Sequence, residues 1–251
     1  GNRTENGRSQ SDKKHWKIRF AEIRKGLGSR RKRDSFPQTG EAERQEKMEK
    51  ETSEMNISGS TTMLGLIGSP VGHSKSPEMY NYCFKKYGCD CAYLAFDVTE
   101  REVEKAVNAV RTFQMRGANV TMPLKNAVLP YLDQLTPVAQ ITRSVNTIVN
   151  DGGVLTGHCT DGKGFTANLA SGGFGVKDKK ITILGGGGVS SAVAAQCVLE
   201  GAEELSIFNR KDKFWDRLER YAETLRSEAP SCSVNIYDLD DEEALRSRID
   251  S

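Results

Sequence analysis

No apolar run in this 251-residue sequence approaches the length needed to cross a bilayer as a helix, which is roughly 20 residues. No charged-then-apolar signal segment opens it either. Paired metal-ligand spacing is also lacking. The six cysteines are Cys83, Cys89, Cys91, Cys159, Cys197 and Cys232, and Cys89-Asp90-Cys91 is too tight for a usual zinc site. With no histidine pair beside them, they read as reduced thiols of a cytoplasmic protein with no metal centre. The formal net charge of +2 is small, and its basic excess sits in the first forty residues.

Aliphatic residues are scarce over residues 1–60, where Lys, Arg, Glu, Ser and Gly dominate. Such a segment cannot bury enough surface to offset the entropy of ordering, so a disordered, charged extension is expected there. The run Arg30-Arg31-Lys32-Arg33 could contact nucleic acid or act as a targeting tag. A solvated tail is the simpler reading, so no nucleic-acid partner is expected. Glu41 to Glu54 could form a transient helix through pairs such as Glu43–Lys47. The sequence starts with Gly, and Met48 or Met55 reads as an alternative start.

From Met63 onward, strand and helix patterns alternate. Strands are expected at Met63–Gly68, Ala92–Val98 and Gly117–Thr121, with helices from Pro77 to about Tyr87 and from Glu100 to Phe113. Val145–Val149 and Val154–Leu155 read as a hairpin turning at Asp151-Gly152-Gly153. The pattern predicts an α/β layer with ligand loops at strand ends.

Within it, Gly117 to Phe165 carries three polar motifs set against apolar runs: Asn119 to Lys125, Val145-Asn146-Thr147, and Thr160 to Phe165. Burying an amide, a lysine and an aspartate costs free energy unless they are paired or used. Together they suit the grip of a polyhydroxylated molecule. In the plainer alternative, Lys125 starts a solvated helix and Asp161 caps the next one. Ser74 and Ser76, in a Pro-bounded loop, suit a carboxylate or else cap a helix.

A second unit opens at Lys180–Leu184, a strand running into Gly185, Gly186, Gly187, Gly188, Val189 and Ser190. A helix to Leu199 and a strand at Leu205–Phe208 complete a strand, glycine turn, helix, strand unit, the context of dinucleotide binding. Ser190 stands where the fingerprint has its third glycine. The loop Asn209, Arg210, Lys211 and Asp212 follows, in which Asp212 permits NAD and Arg210 permits NADP. A helix at Phe214–Leu225, a strand near Val234–Tyr237 and a helix around Glu242–Ile249 follow. That is one βαβαβ half of a dinucleotide fold.

Taken in order, Gly68 to Pro77, Asn119 to Lys125, Val145 to Thr147, Thr160 to Phe165 and Gly185 to Ser190 resemble the shikimate dehydrogenase family. The Asn209–Asp212 loop looks most like its quinate/shikimate branch. The resemblance implies an α/β substrate-binding catalytic domain over 61–165 and a partial Rossmann-type domain over 166–251. It implies NAD(P)-dependent interconversion of shikimate and 3-dehydroshikimate, with quinate and 3-dehydroquinate as a further pair. Ser74 and Ser76 would bind the substrate carboxylate, and Thr121, Lys125, Asn146 and Asp161 the ring hydroxyls. Lys125 and Asp161 match the catalytic pair. A monomer or homodimer is expected. Cys159 departs from the usual asparagine before Thr-Asp-Gly, and Pro137 from an acidic residue. The C-terminal part of the family fold is absent from this sequence, so a relative that binds a polyol carboxylate without turnover is the alternative expectation.

Overall fold

The structure, a computed structural model, describes residues 57–249. The extension expected over 1–60 lies, up to residue 56, outside the described residues, as do the Arg30–Arg33 run and the helix expected over 41–54. Among the described residues, no helix is long and apolar enough to cross a membrane. None of their His, Cys, Asp and Glu side chains form a group of three or more able to hold a metal ion.

The chain adopts the α/β architecture expected of it. Strand β1 (Thr62–Gly68) buries its last four residues, and its crossover helix α1 (Ser76–Tyr87) returns the chain to β2 (Cys91–Asp97) in parallel. Gly88, at φ +64°, ends α1 in the left-handed conformation that glycine adopts without a Cβ clash. Glu102 accepts hydrogen bonds from both the N–H and the hydroxyl of Thr99, at 3.3 and 2.7 Å, and so closes the turn that starts α2 (Val103–Thr112). That helix buries Val103, Val107 and Val110, which share one face.

Strand β3 (Gly117–Val120) runs parallel to β1. A Cβ on Gly117 would lie 2.2 Å from the Ile148 carbonyl oxygen, so only glycine fits where β3 meets its next neighbour. That neighbour is β5 (Thr147–Asp151), joined to β6 (Val154–His158) through Gly152 and Gly153. Both glycines have positive φ, +61° and +95°, as a tight two-residue hairpin turn requires. Two short elements between β3 and β5 were not expected from the sequence: β4 (Gln134–Leu135), parallel to β6, and the helix α3 (Pro137–Thr142).

The sheet order is β2-β1-β3-β5-β6-β4, with β5 antiparallel to both its neighbours. The carboxyl ends of β1, β3 and β6 and the amino end of β5 therefore lie along one edge. Helix α4 (Asp161–Ser171) leaves that edge for a second, three-stranded parallel sheet in the order β7-β8-β9. Its elements are β7 (Lys180–Leu184), α5 (Gly188–Leu199), β8 (Glu204–Asn209), α6 (Trp215–Glu228), β9 (Ser233–Asp238) and α7 (Glu242–Ile249).

Helices α4 and α5 touch closely. A Cβ on Gly162 would sit 2.2 Å from the Ala192 carbonyl oxygen. One turn on, Glu200 Oε1 accepts hydrogen bonds from Lys163 Nζ, Thr166 Oγ1 and Gln196 Nε2. Two plainer readings of the sequence are corrected. Lys125 lies in a run of turns after β3 rather than in a helix, and Thr160, not Asp161, occupies the N-cap of α4.

Candidate active site

The edge where β1, β3 and β6 end and β5 begins gathers the polar motifs because each adjoins the end of a strand held in register by the core. Val145, Ile148 and Leu155 are buried there and fix the backbone on either side of Asn146. The Val145 N–H donates to the Lys125 carbonyl at 2.8 Å, which ties the turn after β3 to the start of β5.

Lys125 Nζ lies 3.0 Å from Asp161 Oδ2, with the two side chains 28% and 32% exposed, so solvent and a ligand can both reach the pair. Asn146 Nδ2 donates to the other Asp161 oxygen at 2.8 Å. The Asn146 side-chain oxygen accepts from the Thr160 N–H at 2.9 Å, the Thr160 hydroxyl at 3.0 Å and the Thr147 hydroxyl at 3.1 Å. One amide thus fixes the orientation of a carboxylate and the start of the helix that carries it.

The network continues into the sheet. Asn119 Nδ2 donates to the Thr147 hydroxyl at 3.1 Å, and the Tyr93 hydroxyl donates to Asn119 Oδ1 at 2.8 Å. Burial, with Tyr80 beside it, pushes the Tyr93 hydroxyl far above its ordinary pKa, so it stays a neutral donor. Tyr80 stacks on the Tyr93 ring at a centroid separation of 4.5 Å. Cys159, two residues before Asp161, is buried, and that burial raises its thiol pKa, with Asp161 adding to the effect.

Sequence reasoning named Lys125, Asp161 and Asn146, and the fold brings these three into direct contact. Thr121 sits at the end of β3, its N–H on the Ile67 carbonyl and its methyl against Gly68. Ser74 and Ser76 form a separate pair, the Ser74 hydroxyl donating to the Ser76 hydroxyl at 3.2 Å, in the loop after β1. Tyr93 was not singled out, and Asn119, Thr147 and Thr160 were given only places in motifs. The signal at Tyr93 was a tyrosine on the inward face of a strand, where its hydroxyl needs a partner.

The second sheet presents the glycine turn as a rim. Gly185, at φ +103°, turns the chain out of β7 and its N–H bonds the Phe208 carbonyl. Gly186 N–H donates to Asn209 Oδ1 at 3.1 Å, and a Cβ there would meet Asn209 and Leu218 at 3.4 Å. Gly187 caps α5 and Gly188 begins it, followed by exposed Val189 and part-buried Ser190. Asp212 Oδ1 accepts the Phe214 N–H at 2.9 Å, Lys211 Nζ lies 5.3 Å from the centre of the Trp215 ring, and Arg210 is exposed. Between this loop, the glycine turn and the first turns of α6 lies a groove of about 490 Å³. Free N–H groups at a helix N-terminus beside glycines form an anion site, so these residues fit the phosphates of a dinucleotide.

The shikimate dehydrogenase substrate binding domain family matches residues 66–148. A shikimate dehydrogenase (NADP(+)) of Listeria monocytogenes serotype 4b is 45% identical over 193 residues, covering 77% of this chain and 66% of that protein. A quinate/shikimate dehydrogenase of Escherichia coli (strain SMS-3-5 / SECEC) is 39% identical over 191 residues, 76% of this chain and 66% of that one. This chain therefore spans just under two thirds of the length of these curated relatives. Among solved structures, the shikimate 5-dehydrogenase of Listeria monocytogenes in complex with shikimate and NAD is 44% identical, with a TM-score of 0.75 over 78% of this chain and 67% of that chain. Ordered sequence motifs, sheet topology and these likenesses agree that the chain belongs to the shikimate dehydrogenase family.

Proposed function

We propose that this chain carries the catalytic half of an NAD(P)-dependent alcohol oxidoreductase that interconverts shikimate and 3-dehydroshikimate, with quinate and 3-dehydroquinate as a further pair. The observation that carries this reading is the Lys125–Asp161 pair at the strand-end edge of the six-stranded sheet, with Asn146 on the other Asp161 oxygen. Oxidising a secondary alcohol separates a hydride from a proton. A nicotinamide dinucleotide, when held at the glycine turn, would supply the acceptor for that hydride. Lys125 shuttles the hydroxyl proton at Nζ, and Asp161 orients Lys125 and the hydroxyl. Asn146 keeps Asp161 turned toward Lys125. Thr121 and Asn146 bind ring hydroxyls, and Ser74 and Ser76 bind the substrate carboxylate.

Gly185 to Ser190 take the dinucleotide phosphates, and Asn209 to Asp212 the adenosine end. Residues 61–165 form the substrate lobe and 166–251 the cofactor lobe, with α4 spanning the join. We place the enzyme in the cytoplasm, as a monomer or homodimer. Support comes from relatives solved with these ligands, including the Thermus thermophilus shikimate 5-dehydrogenase in complex with NADP(H) and shikimate.

A second reading is that the chain binds a polyol carboxylate through Ser74, Ser76, Lys125 and Asp161 without turnover. Incubating the chain with shikimate or quinate and NAD or NADP, and following absorbance of the reduced nicotinamide, separates the two. Turnover supports the oxidoreductase. Shikimate binding by calorimetry with no reduced nicotinamide formed supports the second reading.

A further inference from the structure

Arg143 holds a conformation that costs free energy and that the turn it sits in does not need from an arginine. It stands at φ +51°, in the left-handed region, at the end of α3 where glycine is usual. The turn closes without the Arg143 side chain, with the Arg143 N–H on the Gln140 carbonyl and the Ser144 N–H on the Ala139 carbonyl, both at 3.3 Å. Asn126 Nδ2 donates to the Arg143 carbonyl, and the Val145 N–H holds the Lys125 carbonyl, so the segment is pinned on both sides. An outlier kept in a pinned segment points to a use for the side chain.

That side chain is exposed and lines the groove at the glycine turn, together with Arg217 and Arg220 of α6. Among the described residues, the three guanidiniums carry no ion pair. The carboxylate among the groove's lining residues is Asp212, which already accepts the Phe214 N–H. Three arginines that line one groove beside the N-terminus of α5 make it attractive to an anion, and guanidinium forks match phosphate oxygens.

We propose that Arg143, carried by the substrate lobe, is a cofactor-binding residue that joins Arg217 and Arg220 in holding a phosphate of an adenine dinucleotide at the glycine turn. The proposal rests on the dinucleotide reading above. It has a structural consequence, because Arg143 and Asn146 are three residues apart on one pinned segment. Gripping the phosphate and orienting Asp161 then involve the same stretch of backbone.

Arg143→Gly tests this directly, because glycine suits φ +51° and removes only the side chain. Calorimetric titration of the full chain with 2′,5′-ADP and with 5′-AMP, alongside thermal melting, gives the readout. The variant is expected to melt at or above the wild type. It should also lose about tenfold in affinity for at least one adenylate, the scale of one lost charge-assisted contact. The loss should shrink as salt is raised. Loss confined to 2′,5′-ADP supports the cradle at the ribose 2′-phosphate, and equal loss for both ligands supports it at the 5′-phosphate. Arg217→Ala is expected to weaken the same ligand. Unchanged affinity for both adenylates in Arg143→Gly would overturn the proposal while leaving the dinucleotide reading in place. Failure of the wild type to bind either adenylate would overturn both.

Discussion

The Asn146 amide meets the Asp161 carboxylate at 2.8 Å, and its oxygen receives three further hydrogen bonds from Thr160 and Thr147. Asn146→Ala removes the acceptor for the Thr160 N–H at the start of α4 and one donor to Asp161. The Thr160 groups are exposed and can turn to water, so the loss is on the scale of the hydrogen bonds themselves, about 0.5–1.5 kcal/mol. Urea unfolding should register a loss of that size, with turnover falling alongside. A variant as stable as the wild type would mean that the Thr160 N–H finds water without penalty and that Asn146 does not organise the helix start.

Gly162 and Gly164 lie two residues apart on α4 but face different surroundings. A Cβ at Gly162 would press on the Ala192 backbone at 2.2 Å, whereas at Gly164 it meets nothing within 4 Å. Gly162→Ala should therefore cost about 1–3 kcal/mol through overpacking between α4 and α5. Gly164→Ala should stabilise the chain by about 0.5–1 kcal/mol through helix propensity. Equal melting temperatures for the two variants would rule out a rigid α4–α5 contact.

Glu200 supplies a pH dependence of known sign. Burial pulls its pKa upward, but hydrogen bonds from Gln196, Lys163 and Thr166, at 2.8, 3.1 and 3.0 Å, outweigh it and hold the carboxyl below its usual range. A carboxyl whose pKa is lower folded than unfolded adds stability above the unfolded value, near about 4.3 for glutamate. That stability is lost as the pH falls through the folded value. Glu200→Gln should thus show a shallower loss of stability than the wild type on acidification below about pH 5. Parallel profiles in denaturant titrations across this range would contradict the assignment.

Much of this fold was legible because strands and helices differ in period. Lys180–Leu184 as a strand, the glycine turn and the helix to Leu199 followed from local pattern alone. The elements that escaped were short. Gln134–Leu135 is a two-residue strand, and Pro137–Thr142 a six-residue helix with too few turns to show a period. The available signal was Thr136-Pro137, an extended N-cap residue followed by the imino acid that suits a first helical turn. The antiparallel placement of β5 between β3 and β6 depends on pairings distant in sequence, which local periodicity does not encode. The same limit applies to the site. Lys125 and Asp161 were legible as out-of-place polar residues, whereas the route from Tyr93 through Asn119 and Thr147 exists only once β2, β1, β3 and β5 are side by side.

Lys125 is the group proposed to move the hydroxyl proton. Its ion pair with Asp161 is partly solvent-exposed, so its own contribution to stability is small, below about 1 kcal/mol. The most direct measurement is steady-state turnover of shikimate with NADP and NAD by Lys125→Ala, with shikimate affinity and melting temperature recorded on the same sample. The expected result is a loss of turnover of about 10²–10⁴-fold, with modestly weaker binding and an unchanged fold. Turnover within a fewfold of an active wild type would contradict the account and move the proton to another group.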